Sequence, residues 1–237
     1  MSNNKKPVSG IGTQKESSLH RSLKFEYSPA ITETLVGGYV CDGIGKNKEI
    51  IEVQIGSFGP LKDKVKNLAG KHKVRIIHPI IAGKHIELYD TEGQLLHRRK
   101  SPSKGSAWNL FNALIYAPEL PLLKNLTIEL AVVDVTERRV SDGTGSWRRK
   151  GVRIADRFLS AHHHSVILKK PKDYFMFIPF INEQFTVRDL AEKAGITSSL
   201  SRKTLYTLTK MGLLERAGTR GRSFVYQRRI EAAKNRK

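Results

Sequence analysis

Residues 39–55, YVCDGIGKNKEIIEVQI, decide the fold that this chain is expected to adopt. Residues 39–42 form a short run that favours a strand, and residues 43–48 hold the Gly, Lys and Asn that favour a turn. Residues 49–55 then alternate polar and apolar side chains with the period of a half-buried strand. The segment therefore predicts an antiparallel hairpin, whose two strands lie about 5 Å apart.

The elements around this hairpin predict an α/β protein with a mixed sheet. Before it, residues 16–27 carry helically spaced apolar side chains, and residues 32–40 are rich in Thr, Val and Leu. After it, a Gly-rich break is followed by a second helix over 61–69 and a strand over 74–78. The order is helix, three strands, helix, strand. Farther along, the predicted elements are a hairpin over 86–89 and 94–97, a helix over 108–116 and a long strand over 126–135.

Three polar side chains of the hairpin form a candidate catalytic cluster. Asp42 closes the first strand, and Glu52 and Gln54 share a face of the second because strand side chains alternate. A suitable register places Asp42 beside Glu52. Two carboxylates that converge at a sheet edge suit Mg²⁺, which prefers a few carboxylates together with water and phosphate oxygens. We therefore expect Asp42 and Glu52 to hold a metal that polarises a scissile phosphate.

These residues and the order of elements around them resemble the PD-(D/E)xK (restriction-endonuclease-like) superfamily of nucleases. Asp42 and Glu52, with nine residues between them, match the two acids of its motif. The resemblance implies hydrolysis of DNA with Mg²⁺ or Mn²⁺ as the cofactor. It also implies a further acid on the first helix, for which Glu16 is the candidate and Glu26 the alternative.

One position departs from the motif, because Gln54 stands where the superfamily usually has a lysine. A glutamine still orients water, but it supplies no positive charge. Some members of the superfamily move the lysine to the following helix, which here carries Lys62, Lys64 and Lys66. We favour Lys64, because it shares its side of the helix with the apolar residues at 61 and 68. The predicted catalytic set is Asp42, Glu52, Gln54, Lys64 and Glu16.

The C-terminal segment has the element order of a winged helix-turn-helix domain. Thr186 is a suitable N-cap for a helix over 187–194, a turn follows, and a second helix runs to Met211. A Gly-rich tip at 218–222 then joins two short strands. Such modules place their second helix in the major groove, although others bind proteins instead. The residues expected to bind DNA are Arg202, Lys203, Tyr206 and Lys210 on the helix, Arg220 and Arg222 on the wing, and Arg148 and Arg149 in a separate basic run.

Several shorter strings are similar to a bacterial family of this architecture that offers no established activity. They are EVQIGSF at 52–58, HPI at 78–80, RRKSP at 98–102 and WRRKG at 147–151. The two tryptophans, Trp108 and Trp147, are expected in the core or in an interface rather than as platforms for base stacking.

The composition favours a polyanionic partner. Lys and Arg together number 42 against 22 Asp and Glu, which gives a formal charge of +20. Cys41 is the only cysteine, so a disulfide within the chain and a cysteine-based zinc site are both excluded. No segment approaches the roughly 20 apolar residues that span a bilayer. A cytoplasmic protein with no membrane partner is therefore expected.

Together these features predict a Mg²⁺-dependent endonuclease that acts on double-stranded DNA, with a homodimer as one possible assembly. The alternative is a catalytically inactive DNA-binding regulator, or a recruiting subunit, that uses the same fold. The predicted division of the chain is a flexible tail (1–14), a nuclease-like core (15–140), a connecting region (141–182), a winged helix (183–230) and a basic tail (231–237).

Overall fold

The computed structural model describes residues 16–30, 32–179 and 183–229. The predicted flexible tail (1–14) and basic tail (231–237) lie outside these residues. Within them, the helices are α1 (Ser18–Tyr27), α2 (Lys62–Ala69), α3 (Leu110–Leu114), α4 (Val187–Ala194) and α5 (Ser198–Lys210). The strands are β1 (Thr32–Val36), β2 (Tyr39–Ile44), β3 (Ile50–Val53), β4 (Val74–Tyr89), β5 (Leu95–Lys100), β6 (Leu126–Ser141), β7 (Val152–Leu168), β8 (Leu214–Arg220) and β9 (Ser223–Arg228).

Seven of these strands form one mixed sheet in the order β1-β2-β3-β4-β6-β7, with β5 paired to β4. The strand β2 is antiparallel to its neighbours β1 and β3, whereas β4 runs parallel to both β3 and β6. The last strand, β7, is antiparallel to β6 along nearly its whole length. The predicted α/β class with a mixed sheet is thereby confirmed.

Helices cover both faces of the sheet. On one face, Leu19 and Leu23 of α1 pack in a core with Ile51 and Val53 of β3 and with residues of β4 and β6. On the other face, α2, α3 and the C-terminal elements pack in a larger core that includes Ile50. Burial of these apolar side chains is the main term that stabilises the arrangement. The strand β3 is therefore covered on both sides, with odd-numbered side chains facing α1 and Ile50 facing α2.

The strands of the second half are longer than the sequence predicts. The strands β4 and β6 contain 16 residues each and pair in parallel from end to end. Residues 152–168, which the sequence assigns to a connecting region, form the long strand β7 of the main sheet. We call residues 85–100 and 135–158 the basic arm, because these strand segments and the loops between them are rich in Arg.

The elements after residue 183 form a separate module on the α2 side of the sheet. Thr186 and Asp189 cap α4 reciprocally, with Thr186 N donating to Asp189 Oδ2 at 2.8 Å. Thr197 caps α5 by accepting from Leu200 N at 3.2 Å. The strands β8 and β9 then form an antiparallel hairpin. The predicted order of two helices and a hairpin is confirmed.

None of the helices in the described part of the chain is long and apolar enough to cross a membrane.

Candidate active site at the ends of β2 and β3

Asp42 lies where β2 and β3 separate. The ladder between them ends at the pair Gly43 and Ile51, and the Asp42 Oδ2 atom then accepts a hydrogen bond from Val53 N at 2.8 Å. The Asp42 side chain thus takes the place of the next backbone hydrogen bond between β2 and β3. Asp42 also faces α1, where His20 Nε2 lies 3.4 Å from Oδ2 and Lys24 Nζ lies 4.0 Å from Oδ1.

Glu52 approaches the same strand end from the other face of the sheet. Its neighbours Ile51 and Val53 pack against α1, so Glu52 points toward α2, as alternation along a strand requires. Lys64 Nζ on α2 lies 2.6 Å from Glu52 Oε1. The Glu52 side chain is only 3% exposed and that of Lys64 17%. Asp42 and Glu52 therefore have different cationic partners and do not converge from one face, which corrects the arrangement expected from the sequence.

Gln54 and Lys64 are the two candidate residues for the place of the motif lysine. The structure brings the side chain of Lys64 into contact with Glu52. Gln54 lies just beyond β3, and its Nε2 donates to Ser57 O at 2.5 Å. Lys62 and Lys66 both pair with Glu119 on the outer side of α2. Lys64, besides its ion pair with Glu52, donates to Val40 O at 2.6 Å. The preference for Lys64 among the three lysines is thus consistent with the geometry, whereas the amide nitrogen of Gln54 is hydrogen-bonded to Ser57 O.

A polar stripe on α1 completes the cluster. Glu16 Oε1 lies 2.5 Å from His20 Nδ1 and 3.4 Å from Lys24 Nζ. Lys24 Nζ also lies 3.1 Å from Glu33 Oε1. The backbone of Glu33 has a φ of 53°, a conformation that is uncommon for residues other than glycine. Glu26, the alternative to Glu16, is engaged instead with His162.

Sequence reasoning found Glu16 but missed His20, Lys24 and Glu33. The first two were accessible, because positions 16, 20 and 24 are spaced by four residues and so share one side of a helix. Glu33 carried no such signal, since its approach depends on the unusual backbone of β1. We call the set Glu16, His20, Lys24, Glu33, Asp42, Glu52 and Lys64 the β2–β3 cluster.

The pKa values in the cluster are shifted in opposite directions. Burial raises the pKa of Glu52, the negative charge of Asp42 adds to this, and Lys64 only partly opposes it. Burial acts the same way on Asp42, but hydrogen bonds from His20 and Val53 N outweigh it and lower its pKa. Burial would lower the pKa of His20, yet Asp42 and Glu16 outweigh burial and raise it. Of the two strand carboxyls, Asp42 thus favours its charged form and Glu52 resists it.

The donor chemistry of the cluster fits a hard divalent cation. Four carboxylates face two lysines, so the cluster is net negative whether or not His20 is protonated. The buried Glu52 Oε1 has its ion pair but no hydrogen bond of good geometry. Mg²⁺ commonly binds through one or two carboxylates plus water. Within the described ranges, however, no three His, Cys, Asp or Glu side chains are grouped as a complete ligand set.

Cavities open on both sides of this strand end. On the α1 side, a cavity of about 490 Å³ is lined by residues that include Glu16, Arg21 and Arg157. On the α2 side, a cavity of about 390 Å³ runs from Ser57 past Lys84 and Lys104 to Asn112. Asn112 Oδ1 in turn accepts a hydrogen bond from Lys203 of α5 at 2.8 Å. Asn112, at the end of this cavity, is thus in contact with the C-terminal module.

The residues expected to bind nucleic acid occupy two surfaces. On α5, Arg202, Tyr206 and Lys210 form an exposed stripe, whereas Lys203 is half-buried against α3. Of the basic residues at the β8–β9 tip, Arg222 is exposed, and Arg220 Nη1 lies 3.4 Å from Asp189 Oδ2. The second surface is the tip of the basic arm, where Arg148 and Arg149 are exposed.

Comparison with known proteins defines the family of this chain. A family model described as a domain of unknown function (DUF8091) matches residues 17–169. The chain belongs to the DUF8091 family. The match spans the sheet from α1 to the end of β7, which agrees with β7 being part of this domain rather than a linker.

An uncharacterized protein of Treponema pallidum (strain Nichols) is 28% identical over 221 residues, which cover 92% of this chain and 87% of the relative. This coverage leaves out less than a tenth of the chain, so the similarity extends into the C-terminal module. No solved structure matches the chain.

Proposed function

We propose that this protein binds double-stranded DNA and hydrolyses a phosphodiester bond with the help of Mg²⁺ or Mn²⁺. The observation that carries the proposal is the contact between Lys64 and Glu52 beside Asp42, at the separating ends of two antiparallel strands. Two acids and a lysine meet at this point of a helix-flanked mixed sheet, as in a PD-(D/E)xK core whose lysine has moved to the following helix, except that here the two acids approach the strand end from opposite faces.

In this proposal the acids and the lysine have different roles. Asp42 and Glu52 would hold the divalent cation, with Glu16 as a further acid near it. When bound, such a cation polarises the phosphate and makes a water molecule more acidic. Lys64 supplies a positive charge close to where the phosphate gains negative charge. Gln54 has no role, because its amide is committed to Ser57 O.

The positive charge around the cluster supports a polyanionic substrate. Arg21 lines the cavity on one side of the strand end and Lys104 lines the cavity on the other, whereas the lining residues Arg157 and Lys84 already pair with Glu137. We propose that the C-terminal module is a winged helix whose α5 stripe enters the major groove and whose β8–β9 tip contacts phosphates. The contact between Lys203 and Asn112 joins that module to the second cavity.

A second candidate function is DNA binding without catalysis. It is favoured by the fact that the acids of the β2–β3 cluster already have cationic partners, with His20 and Lys24 near Asp42 and Lys64 against Glu52. A metal must compete with these contacts. In this case the cluster only holds α1 and α2 against the sheet.

A plasmid-nicking assay separates the two candidates. Wild-type protein with Mg²⁺ or Mn²⁺ is expected to nick supercoiled plasmid, and excess chelator should stop the reaction. Asp42→Asn, Glu52→Gln and Lys64→Ala should each lose nicking by several orders of magnitude while still binding the plasmid. Asp63→Asn, an exposed carboxylate on α2 next to Lys64, is the matched control and should nick at the wild-type rate. If wild-type protein binds the plasmid but leaves it intact with either metal, catalysis is excluded and the second candidate stands.

A further inference from the structure

Trp147 is exposed to solvent at the tip of the basic arm. Its side chain is 83% exposed, so of the two expected places, core or interface, it is not in the core. Trp108 does meet that expectation, because it packs edge-on against Phe177 with ring centroids 5.1 Å apart. A large exposed indole on a strongly charged surface suggests a binding role.

The tip that carries Trp147 is held in one conformation by its own hydrogen bonds. Asp142 accepts bonds from Thr144 N at 3.0 Å and from Arg153 Nε at 2.7 Å. Gly145 N donates to Gly151 O at 2.8 Å. A Cβ atom at Gly145 would overlap the carbonyl of Val152, so the close approach of the two sides requires glycine. The indole is therefore presented on a preformed support.

Positive charge surrounds the indole. The Arg148 guanidinium lies 5.8 Å from the centre of the Trp147 ring. Next to it, a cavity of about 230 Å³ is lined by His97, Arg99, Arg139, Arg148 and Arg149, together with three apolar side chains. Of these arginines, Arg139 is held by Glu137. No acidic residue lines the cavity, so it suits a phosphate group.

We propose that the arm tip binds an unpaired nucleotide, whose base stacks on Trp147 and whose phosphate enters the arginine-lined cavity. The preferred substrate is then DNA in which a duplex adjoins unpaired bases. In a continuous duplex both faces of each base are covered by its neighbours, so an indole finds a free face only on an unpaired or terminal base. The surrounding arginines favour a nucleic acid over an acidic or apolar peptide because they match closely spaced phosphates. This inference rests on the proposed DNA binding and specifies the substrate.

The test compares a blunt duplex with the same duplex carrying a single-stranded DNA tail, each labelled for fluorescence anisotropy. Wild-type protein is expected to bind the tailed DNA about tenfold more tightly, and Trp147→Ala should remove that preference while leaving affinity for the blunt duplex nearly unchanged. Trp147→Phe should keep most of the preference, since a phenyl ring also stacks. Tyr116→Ala, which removes a similarly exposed aromatic ring outside the arm, is the control and should bind as the wild type does.

A second readout follows the indole itself. In a Trp108→Phe background, Trp147 is the only tryptophan, and the tailed duplex should quench its fluorescence more strongly than the blunt duplex, which offers only the outer faces of its two terminal base pairs. If the protein binds both DNAs equally and the fluorescence of Trp147 does not respond, the inference is overturned although DNA binding stands. If it binds neither DNA, the proposed function fails as well. Tighter binding of a tailed RNA duplex than of the tailed DNA would overturn the choice of DNA.

Discussion

The ion pair of Lys64 with Glu52 is largely buried, so it affects the stability of the protein as well as its chemistry. Removing one partner of such a pair leaves the other charge buried and uncompensated, which costs more than the pair itself contributes. Lys64→Ala should therefore lower the free energy of unfolding by about 3 kcal/mol at neutral pH. This destabilisation should shrink in acid, because Glu52, whose pKa is already raised, takes up a proton and no longer needs a partner.

Urea unfolding at several pH values measures this effect. Lys66→Ala is the matched control, because Lys66 pairs with Glu119 at the surface and its side chain is 40% exposed. Its removal should cost less than about 1 kcal/mol. Equal destabilisation by Lys64→Ala and Lys66→Ala would mean that Glu52 is not buried as described.

His20 should make the stability of the protein depend on pH. Asp42 and Glu16 raise its pKa in the folded state above the ordinary value of 6.5. A raised pKa means that the folded state binds the proton more tightly, so the contribution to stability is full below 6.5 and is lost as the pH rises through the folded pKa. The free energy of unfolding of wild type relative to His20→Gln should thus be larger at about pH 6 than at about pH 9.

The titration of His20 by NMR gives an independent check. Its folded-state pKa should fall in Asp42→Asn, because that change removes the carboxylate charge that favours the imidazolium. A pKa that does not respond to Asp42→Asn would contradict the contact between the two side chains.

At the level of residues, the sequence predicted the members of the site better than their arrangement. Asp42, Glu52, Lys64 and Glu16 are all in the β2–β3 cluster, because the hairpin and the spacing of α1 and α2 limit where they can lie. The approach of Asp42 and Glu52 from opposite faces was not predictable, since it depends on where the β2–β3 ladder ends.

At the level of elements, the boundaries around the hairpin were predicted well, and the second half of the sheet was not. Alternation and turn residues mark β2 and β3 clearly. The outer halves of β6 and β7 carry many charges, which in a sequence indicate a loop. In the structure many of these charges form ion pairs, as where the buried Glu137 of β6 faces Arg139, Arg157 of β7 and Lys84 of β4. Such pairing between strands distant in sequence is invisible before the fold is known.

The hairpin of β6 and β7 depends on glycine at its tip. Gly145→Ala should force the two sides of the tip apart, because its Cβ would overlap the Val152 carbonyl. We expect the free energy of unfolding to fall by about 1–3 kcal/mol, together with a changed fluorescence of Trp147. Gly56→Ala is the control, since a Cβ there meets no atom within 4 Å, and it should be nearly neutral. A neutral Gly145→Ala would show that the tip has no fixed conformation.

At the scale of the whole molecule, the charge of +20 should make DNA binding strongly dependent on salt. Removing one side chain that binds a phosphate should reduce the slope of log affinity against log salt by about 0.9 on duplex DNA. Arg202→Ala on α5 and Arg222→Ala at the β8–β9 tip should each weaken binding, and the smaller salt slope identifies a phosphate contact. Arg188→Ala is the control, because Arg188 is exposed but already paired with Glu192. If Arg188→Ala weakens binding as much as the other two, α5 and the tip are not the DNA-binding surface.

The central claim is that Asp42 and Glu52 act as one site although they approach the strand end from opposite faces. The most direct measurement is the number of Mn²⁺ ions bound per protein, followed by electron paramagnetic resonance of the free ion. Wild-type protein, Asp63→Asn and Glu26→Gln should bind the same number of ions, since neither control residue belongs to the β2–β3 cluster. Asp42→Asn and Glu52→Gln should each bind one ion fewer, because either carboxylate alone cannot displace the neighbouring cations. Equal binding by wild type, Asp42→Asn and Glu52→Gln would contradict the claim.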